Sequence, residues 1–107
     1  MSGMAPSTAT AGVLLTIDLS DDDAVPYFLW DEPMPMRELR ARLHQSESER
    51  IRLLGKILRE AREPDVWLFT TPQEVALRWT SLEPNLGRRR DFWVFLLGQW
   101  RALGLID

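Results

Sequence analysis

The C-terminal segment Arg88–Leu105 constrains the fold more than any other stretch of this 107-residue chain. Its sequence is RRRDFWVFLLGQWRALGL, and helical periodicity places four apolar residues on one stripe: Phe92, Leu96, Trp100 and Leu103. Trp93, Phe95 and Leu97 flank that stripe. A helix with so wide an apolar surface is typically buried on several sides. At about 18 residues and with Arg at its start, it is too short to span a bilayer. We therefore predict that it forms the centre of a small helical domain.

Three more helices are predicted upstream of this segment. The first covers Met36–His44. The second starts at the S-x-x-E pattern of Ser46 to Glu49, which is typical of a capping box, and runs to about Arg62 before Pro64. The third starts at a similar pattern, Thr71-Pro72-Gln73-Glu74, with Pro at the first helical position. The predicted core is Leu39, Leu43, Leu54, Leu58, Trp79, Phe92, Leu96 and Trp100.

The predicted fold is therefore all-α: a single small bundle of about four helices over residues 36–107, preceded by an N-terminal arm over residues 1–35. The start of the arm, Met1–Gly12, is rich in Ser, Thr, Ala and Gly and is predicted to be disordered. The run Val13–Leu19 fits either a strand or an extended segment. Pro33 and Pro35 favour an extended chain ahead of the first helix.

Charge is distributed unevenly along the chain. Residues 1–35 contain six acidic residues and no Lys or Arg, whereas residues 36–107 contain all 13 basic residues and 10 acidic ones. The arm combines the acidic run Asp21, Asp22 and Asp23 with three closely spaced aromatic residues, which are Tyr27, Phe28 and Trp30. Contiguous carboxylates in a loop are usually solvated rather than metal-bound. Such a segment is expected to dock, either on a partner or back onto its own Arg-rich domain.

The residue types present do not indicate an enzyme. There is no Cys, no Gly-rich phosphate loop, no nucleophile–base pair and no cluster with metal-ligand spacing, so we predict neither catalysis nor a cofactor or metal ion. The N-terminus lacks the basic start and apolar run of a secretory signal, and no long apolar stretch exists. We expect a cytoplasmic protein with no membrane contact and no small-molecule ligand.

Two nucleic-acid functions remain as alternatives. Arg88, Arg89 and Arg90 open the last helix, where positive charge opposes the helix dipole, so they either pair within the chain or face an anionic partner. A helix-turn-helix regulator would use them to contact DNA, but the helix has almost no exposed polar face for reading bases. Arg37 and His44 have the R-x6-H spacing of HEPN-type ribonucleases, although a lone His at a helix end more simply favours the dipole.

From Tyr27 to Ile106 the chain resembles a group of short bacterial proteins encoded beside AbiEii-type nucleotidyltransferase toxins. The residues that carry the resemblance are YFLWDEP (27–33), MRELRARL (36–43), RLLGKILREAREPDVWLFTTPQEVALRW (52–79) and LGRRRDFWVFLLGQWRALGLI (86–106). The span from Tyr27 to Ile106 covers about three quarters of the chain. The resemblance implies an antitoxin. The chain has no G-S-x-D-x-D carboxylate pattern of its own, so the resemblance implies the toxin's partner rather than a nucleotidyltransferase.

The charge layout agrees with this role. A nucleotidyltransferase gathers phosphates, so its cleft is expected to be basic. We predict that the arm contacts this partner through Asp21–Asp23 and the three aromatic residues, with Arg88–Arg90 as a further partner-binding group. Aromatic residues would serve as buried anchors and the carboxylates would speed association.

Overall fold

The computed structural model describes residues 15–16 and 18–107, and within them the prediction of an all-α protein is confirmed. The α-helices are α1 (Met36–Leu43), α2 (Glu47–Glu60), α3 (Glu63–Val66), α4 (Pro72–Leu77), α5 (Trp79–Leu82) and α6 (Arg90–Ala102). Short 3-10 helices cover Tyr27–Leu29, Glu83–Asn85 and Gly87–Arg89. The predicted disorder of Met1–Gly12 lies outside the described residues.

The chain divides into two compact units, and the boundary lies between Arg42 and Leu43. The sequence had placed the boundary between residues 35 and 36, so the division observed here assigns most of α1 to the N-terminal unit. That unit is folded where it is described, rather than only extended. Strands β1 (Leu15–Thr16) and β2 (Val25–Pro26) pair in parallel, and the 3-10 helix Tyr27–Leu29 follows directly.

Both predicted capping boxes begin a helix. Ser46 Oγ accepts a hydrogen bond from the backbone N–H of Glu49 at 3.2 Å at the start of α2, and Thr71 Oγ1 accepts one from Glu74 at 3.1 Å at the start of α4. These side chains satisfy N–H groups that lack a partner within the first helical turn. The third predicted helix is interrupted at Arg78, so it forms α4 and α5 instead of one continuous helix.

The buried centre of the second unit is α2 rather than α6. Six consecutive residues of α2, from Leu53 to Leu58, are buried. A Cβ on Gly55 would lie 3.2 Å from the Cβ of Asn85, so glycine lets the Glu83–Asn85 turn approach α2 closely. The other buried apolar residues of this unit are Leu43, Ala61, Val66, Phe69, Val75, Leu82, Leu86, Trp93, Leu97 and Ile106.

The prediction for the orientation of α6 was wrong. The buried residues of α6 are Trp93 and Leu97, which the sequence analysis placed on the flanks. Of the predicted stripe, Phe92 and Leu103 are exposed and Leu96 and Trp100 are half-buried, while the predicted core residue Trp79 on α5 is also half-buried. The remaining predicted core residues, Leu39, Leu43, Leu54 and Leu58, are buried. Helical periodicity grouped the apolar residues of α6 into a stripe and its flanks, but it did not predict which of these packs against α2.

A polar network joins α2 to α4. Arg50 donates from Nε and Nη2 to the two carboxylate oxygens of Glu74 at 2.6 and 2.7 Å. Arg78 Nε and Thr70 Oγ1 donate to the same carboxylate at 2.8 and 2.6 Å. The hydrogen bonds from Arg50 are the main reason that the pKa of Glu74 lies below its ordinary value. The two-pronged geometry fixes the position of α4 against α2.

Leu97→Ala is expected to cost about 2–5 kcal/mol of unfolding free energy, because it leaves a cavity beside buried Trp93. Leu96→Ala is the matched control, since Leu96 is only half-buried on the adjacent side of the same helix. Its expected cost is smaller, about 1 kcal/mol. Urea unfolding followed by Trp fluorescence measures both. Equal costs at the two positions would contradict the orientation of α6 described above.

Glu74→Gln is expected to destabilise the protein by about 1–3 kcal/mol at neutral pH, because Arg50 loses a charged partner in a partly buried setting. A lowered folded-state pKa gives stability that is present above the unfolded pKa and lost as pH falls through the folded pKa. The difference between wild type and variant should therefore shrink in acid. Unfolding curves at pH 7 and near pH 3 test this, and a difference that does not depend on pH would contradict the ion pair's role.

Candidate functional site: an acidic, Trp-bearing surface

The acidic run of the N-terminal unit is held by arginines of α1. Asp22 forms an ion pair with Arg40 at 2.6 Å, and Asp23 forms one with Arg37. Asp21 Oδ1 accepts the backbone N–H of Asp23 at 2.9 Å, which fixes the turn. Backbone hydrogen bonds from Met36 to Ala24 and from Arg37 to Asp22, at 2.9 and 3.0 Å, attach the turn to the start of α1. Two of the three predicted partner-binding carboxylates are thus already paired within the unit.

The three predicted aromatic anchors have different environments. Phe28 is 1% exposed, so its ring belongs to the core of the unit and is not presented to solvent. Tyr27 is half-buried and packs edge-on against Phe28, with ring centroids 5.3 Å apart. Trp30 is 60% exposed. Adjacent apolar residues on a single 3-10 turn cannot all face the same way, and this geometry separates Phe28 from Trp30.

Trp30 is presented on a fixed backbone. It follows the 3-10 helix Tyr27–Leu29, whose residues Phe28 and Leu29 are fully buried. The N–H of Glu32 donates to the carbonyl of Leu29 at 3.1 Å, which closes the turn around the exposed indole. An exposed aromatic side chain on an anchored turn loses little conformational entropy on binding.

The charge around Trp30 is negative. Described residues up to Arg42 contain seven acidic side chains and three arginines, a net charge of −4, although Asp22 and Asp23 are paired. Asp31 and Glu32 follow the indole directly in the sequence. We refer to Trp30 and the two acidic residues that follow it, Asp31 and Glu32, as the Trp30 surface. It combines one large apolar side chain with carboxylates, which suits a basic protein surface.

The predicted basic group Arg88–Arg90 is mostly occupied within the second unit. Arg89 Nη1 donates to the carbonyl of Ala61, and its guanidinium lies 5.1 Å from the ring centroid of Phe92 and 5.7 Å from that of Trp93. Arg90 pairs with Glu83 at 2.5 Å and with Asp91 at 3.2 Å. Of the three, only Arg88 has no hydrogen bond or ion pair in the described residues. Arg89 and Arg90 are therefore structural, and the prediction that they bind a partner is not supported by these contacts.

The geometry does not favour the two nucleic-acid alternatives. The solvent-facing side of α6 carries Phe92 and Phe95 rather than a row of polar side chains for base edges. In the R-x6-H pair, Arg37 lies in the first unit, paired with Asp23, and His44 lies in the second unit, exposed. The described residues of either unit enclose no pocket, and no group of three or more His, Asp or Glu side chains among them is arranged to hold a metal ion.

No helix in the described part of the chain is both long enough and apolar enough to cross a membrane. Comparisons with protein-family models, with curated proteins and with solved structures found no match to this chain.

Arg89→Ala is expected to lower the unfolding free energy by about 1–3 kcal/mol, because it removes a hydrogen bond to Ala61 and two aromatic contacts. Arg88→Ala is the matched control, since it removes the same charge from an exposed side chain. Its expected effect is within about 0.5 kcal/mol. Chemical denaturation of both variants measures the difference. Equal effects would show that Arg89 does not stabilise the end of α2.

Proposed function

We propose that this protein is an antitoxin that binds a nucleotidyltransferase encoded beside it and blocks the enzyme by direct contact. The observation that carries the proposal is the Trp30 surface, where an indole that is 60% exposed sits on a fixed turn and is followed in the chain by Asp31 and Glu32. The resemblance of residues 27–106 to proteins encoded beside such toxins supplies the identity of the partner. The proposal makes the chain a binding protein and assigns it no reaction.

The chemistry of the Trp30 surface supports a basic partner. The phosphates of a nucleotide and of its acceptor must be neutralised, so the cleft of a nucleotidyltransferase is expected to be lined with Lys and Arg. A unit with net charge −4 is attracted to such a cleft, which accelerates encounter. Once docked, Trp30 can bury its exposed area against apolar or cationic side chains of the enzyme.

Because Asp22 and Asp23 form ion pairs with arginines of α1, their charge contributes differently to partner binding. Carboxylates already bonded to Arg37 and Arg40 contribute mainly to the orientation of the turn. The long-range attraction comes instead from the excess of acidic residues over the whole unit, which the three arginines of α1 only partly neutralise. Affinity is therefore expected to depend chiefly on Trp30, and the association rate on the net charge.

Trp30→Ala is expected to raise the Kd for the co-encoded nucleotidyltransferase by roughly 30- to 1000-fold, as for a buried aromatic hot spot worth about 2–4 kcal/mol. The change should appear mainly in the dissociation rate. Leu77→Ala is the matched control, because Leu77 is a similarly exposed apolar residue on α4 in the other unit. Surface plasmon resonance with the purified enzyme gives both rates, and inhibition of nucleotide transfer gives the functional result.

Two outcomes would contradict the proposal, and they differ in meaning. If the wild-type protein neither binds nor inhibits the neighbouring nucleotidyltransferase, the antitoxin function is wrong. If wild type binds and Trp30→Ala binds equally tightly, the function stands but the Trp30 surface is not the interface. Far-UV circular dichroism of the variant verifies that the unit still folds, which is expected because Trp30 lies outside the core.

A further inference from the structure

Helix α6 has a second apolar side that points to solvent. Trp93 and Leu97 face the core, whereas Phe92, Phe95, Leu96, Gln99 and Leu103 lie about a quarter turn or more away around the helix. We call these five residues the α6 face. Phe95 is 61% exposed and Leu103 is 70% exposed. No charged residue lies within this set.

The α6 face exposes an apolar area comparable with the largest apolar patch on a typical monomeric protein, and such patches are often functional. The exposed parts of Phe92 and Phe95 together amount to about one whole ring, on the order of 150–250 Å². Leu103 and the neighbouring Leu105 add roughly 100–200 Å². Contiguous patches of several hundred Å² usually mark an interaction site, and this one matches the apolar centre of one side of a standard interface.

The spacing of the α6 face is the same in both chain directions. Phe92, Leu96, Gln99 and Leu103 are separated by four, three and four residues. A two-fold axis passing between Leu97 and Gly98 therefore sets Phe92 opposite Leu103 and Leu96 opposite Gln99 of an antiparallel copy. Such steps also form the seam of a coiled coil. In an isologous interface residue i of one copy contacts residue j of the other and the reverse, and this spacing is compatible with such reciprocal contacts.

We propose that the α6 face binds a second copy of this chain, with the two α6 helices antiparallel across a two-fold axis. This inference concerns the second unit and does not depend on the proposed antitoxin function. The polar residue Gln99 would lie near the axis, where a single polar group specifies register in helix pairs.

The charges at the ends of α6 favour the antiparallel direction. The first turns carry Arg88, Arg89 and Arg90, and Arg88 has no ion pair in the described residues. A parallel pair would place these arginines beside those of the other copy. An antiparallel pair instead sets them near the C-terminal end of the partner helix, where the last carbonyl groups carry partial negative charge and Arg101 already donates to the backbone carbonyl of Asp107.

The first test is the oligomeric state of the full chain. Sedimentation equilibrium at concentrations up to about 100 μM should show a dimer with a micromolar Kd, as expected of a small apolar interface. Phe95→Glu should raise that Kd at least tenfold. Leu77→Glu is the control and should not change the Kd, because Leu77 is an exposed apolar residue on α4, outside the α6 face. A wild-type monomer, or a dimer that tolerates Phe95→Glu, would overturn the proposal.

The second test determines the register. The chain contains no Cys, so one introduced thiol can form a disulfide only with another copy of the chain. Under oxidation an equimolar mixture of Leu96→Cys and Gln99→Cys chains should form a cross-linked dimer, because residue 96 of one copy lies opposite residue 99 of the other in the antiparallel pair. Ser81→Cys, exposed on α5, is the control and should remain monomeric on a non-reducing gel. Equal cross-linking of the mixture and of the control would contradict the two-fold arrangement.

The dimer and the antitoxin function can fail separately. Phe95→Glu should lose self-association yet still bind the nucleotidyltransferase through its intact Trp30 surface, and Trp30→Ala should do the reverse. If the wild-type chain is monomeric and Phe95→Glu abolishes binding of the nucleotidyltransferase, the α6 face belongs to that enzyme and the second-copy proposal is wrong.

Discussion

The structure of the second unit depends on which side chains donate hydrogen bonds to the carbonyl groups at the C-terminal end of α2. The indole N–H of Trp93 donates to the carbonyl of Leu58 at 2.9 Å, and the side chain of Arg89 donates to the carbonyl of Ala61. The last carbonyls of any helix lack partners within the helix, and leaving them unpaired in a core costs free energy. Trp93 therefore does two things at once: it fills the core beside α2 and supplies a donor that an aliphatic side chain lacks. This requirement fixes the side of α6 that faces inward.

The position of Trp93 against α2 determines which side chains of α6 are exposed. The ring of Trp67 packs edge-on against Trp93 and Trp100, with centroids 5.9 and 5.5 Å apart, which keeps α3 against α6. The opposite side of α6 is left without a neighbour within its unit, so Phe95 stays in solvent. A helix with two apolar sides, only one of which packs against the rest of its unit, has the other side available for association. The same packing that stabilises the unit thus creates the α6 face.

In the N-terminal unit, ion pairs play the corresponding part. Its acidic turn would repel itself if Arg37 and Arg40 did not approach Asp23 and Asp22 from α1. With those pairs made, the turn is closed by backbone hydrogen bonds and Phe28 is held in the core. Trp30, which follows the buried residues Phe28 and Leu29, is presented outward. A binding function needs only such a rigid, exposed anchor in a field of one sign, with no reactive group.

The sequence by itself determined the features that act over a few residues. The capping boxes at Ser46 and Thr71 start their helices, and Gly104, with a φ of 74°, ends α6 because it adopts the left-handed conformation that other residues avoid. The all-α class and the positions of the four predicted helices follow from these signals and from periodicity. Only the tertiary structure decided that Trp93 rather than Phe92 is buried, that Asp22 and Asp23 meet arginines, and that Phe28 and Trp30 separate. Helical periodicity shows which apolar residues share a side of a helix. Which side is buried depends on how many other elements pack against the helix and on where their unpaired carbonyl groups lie.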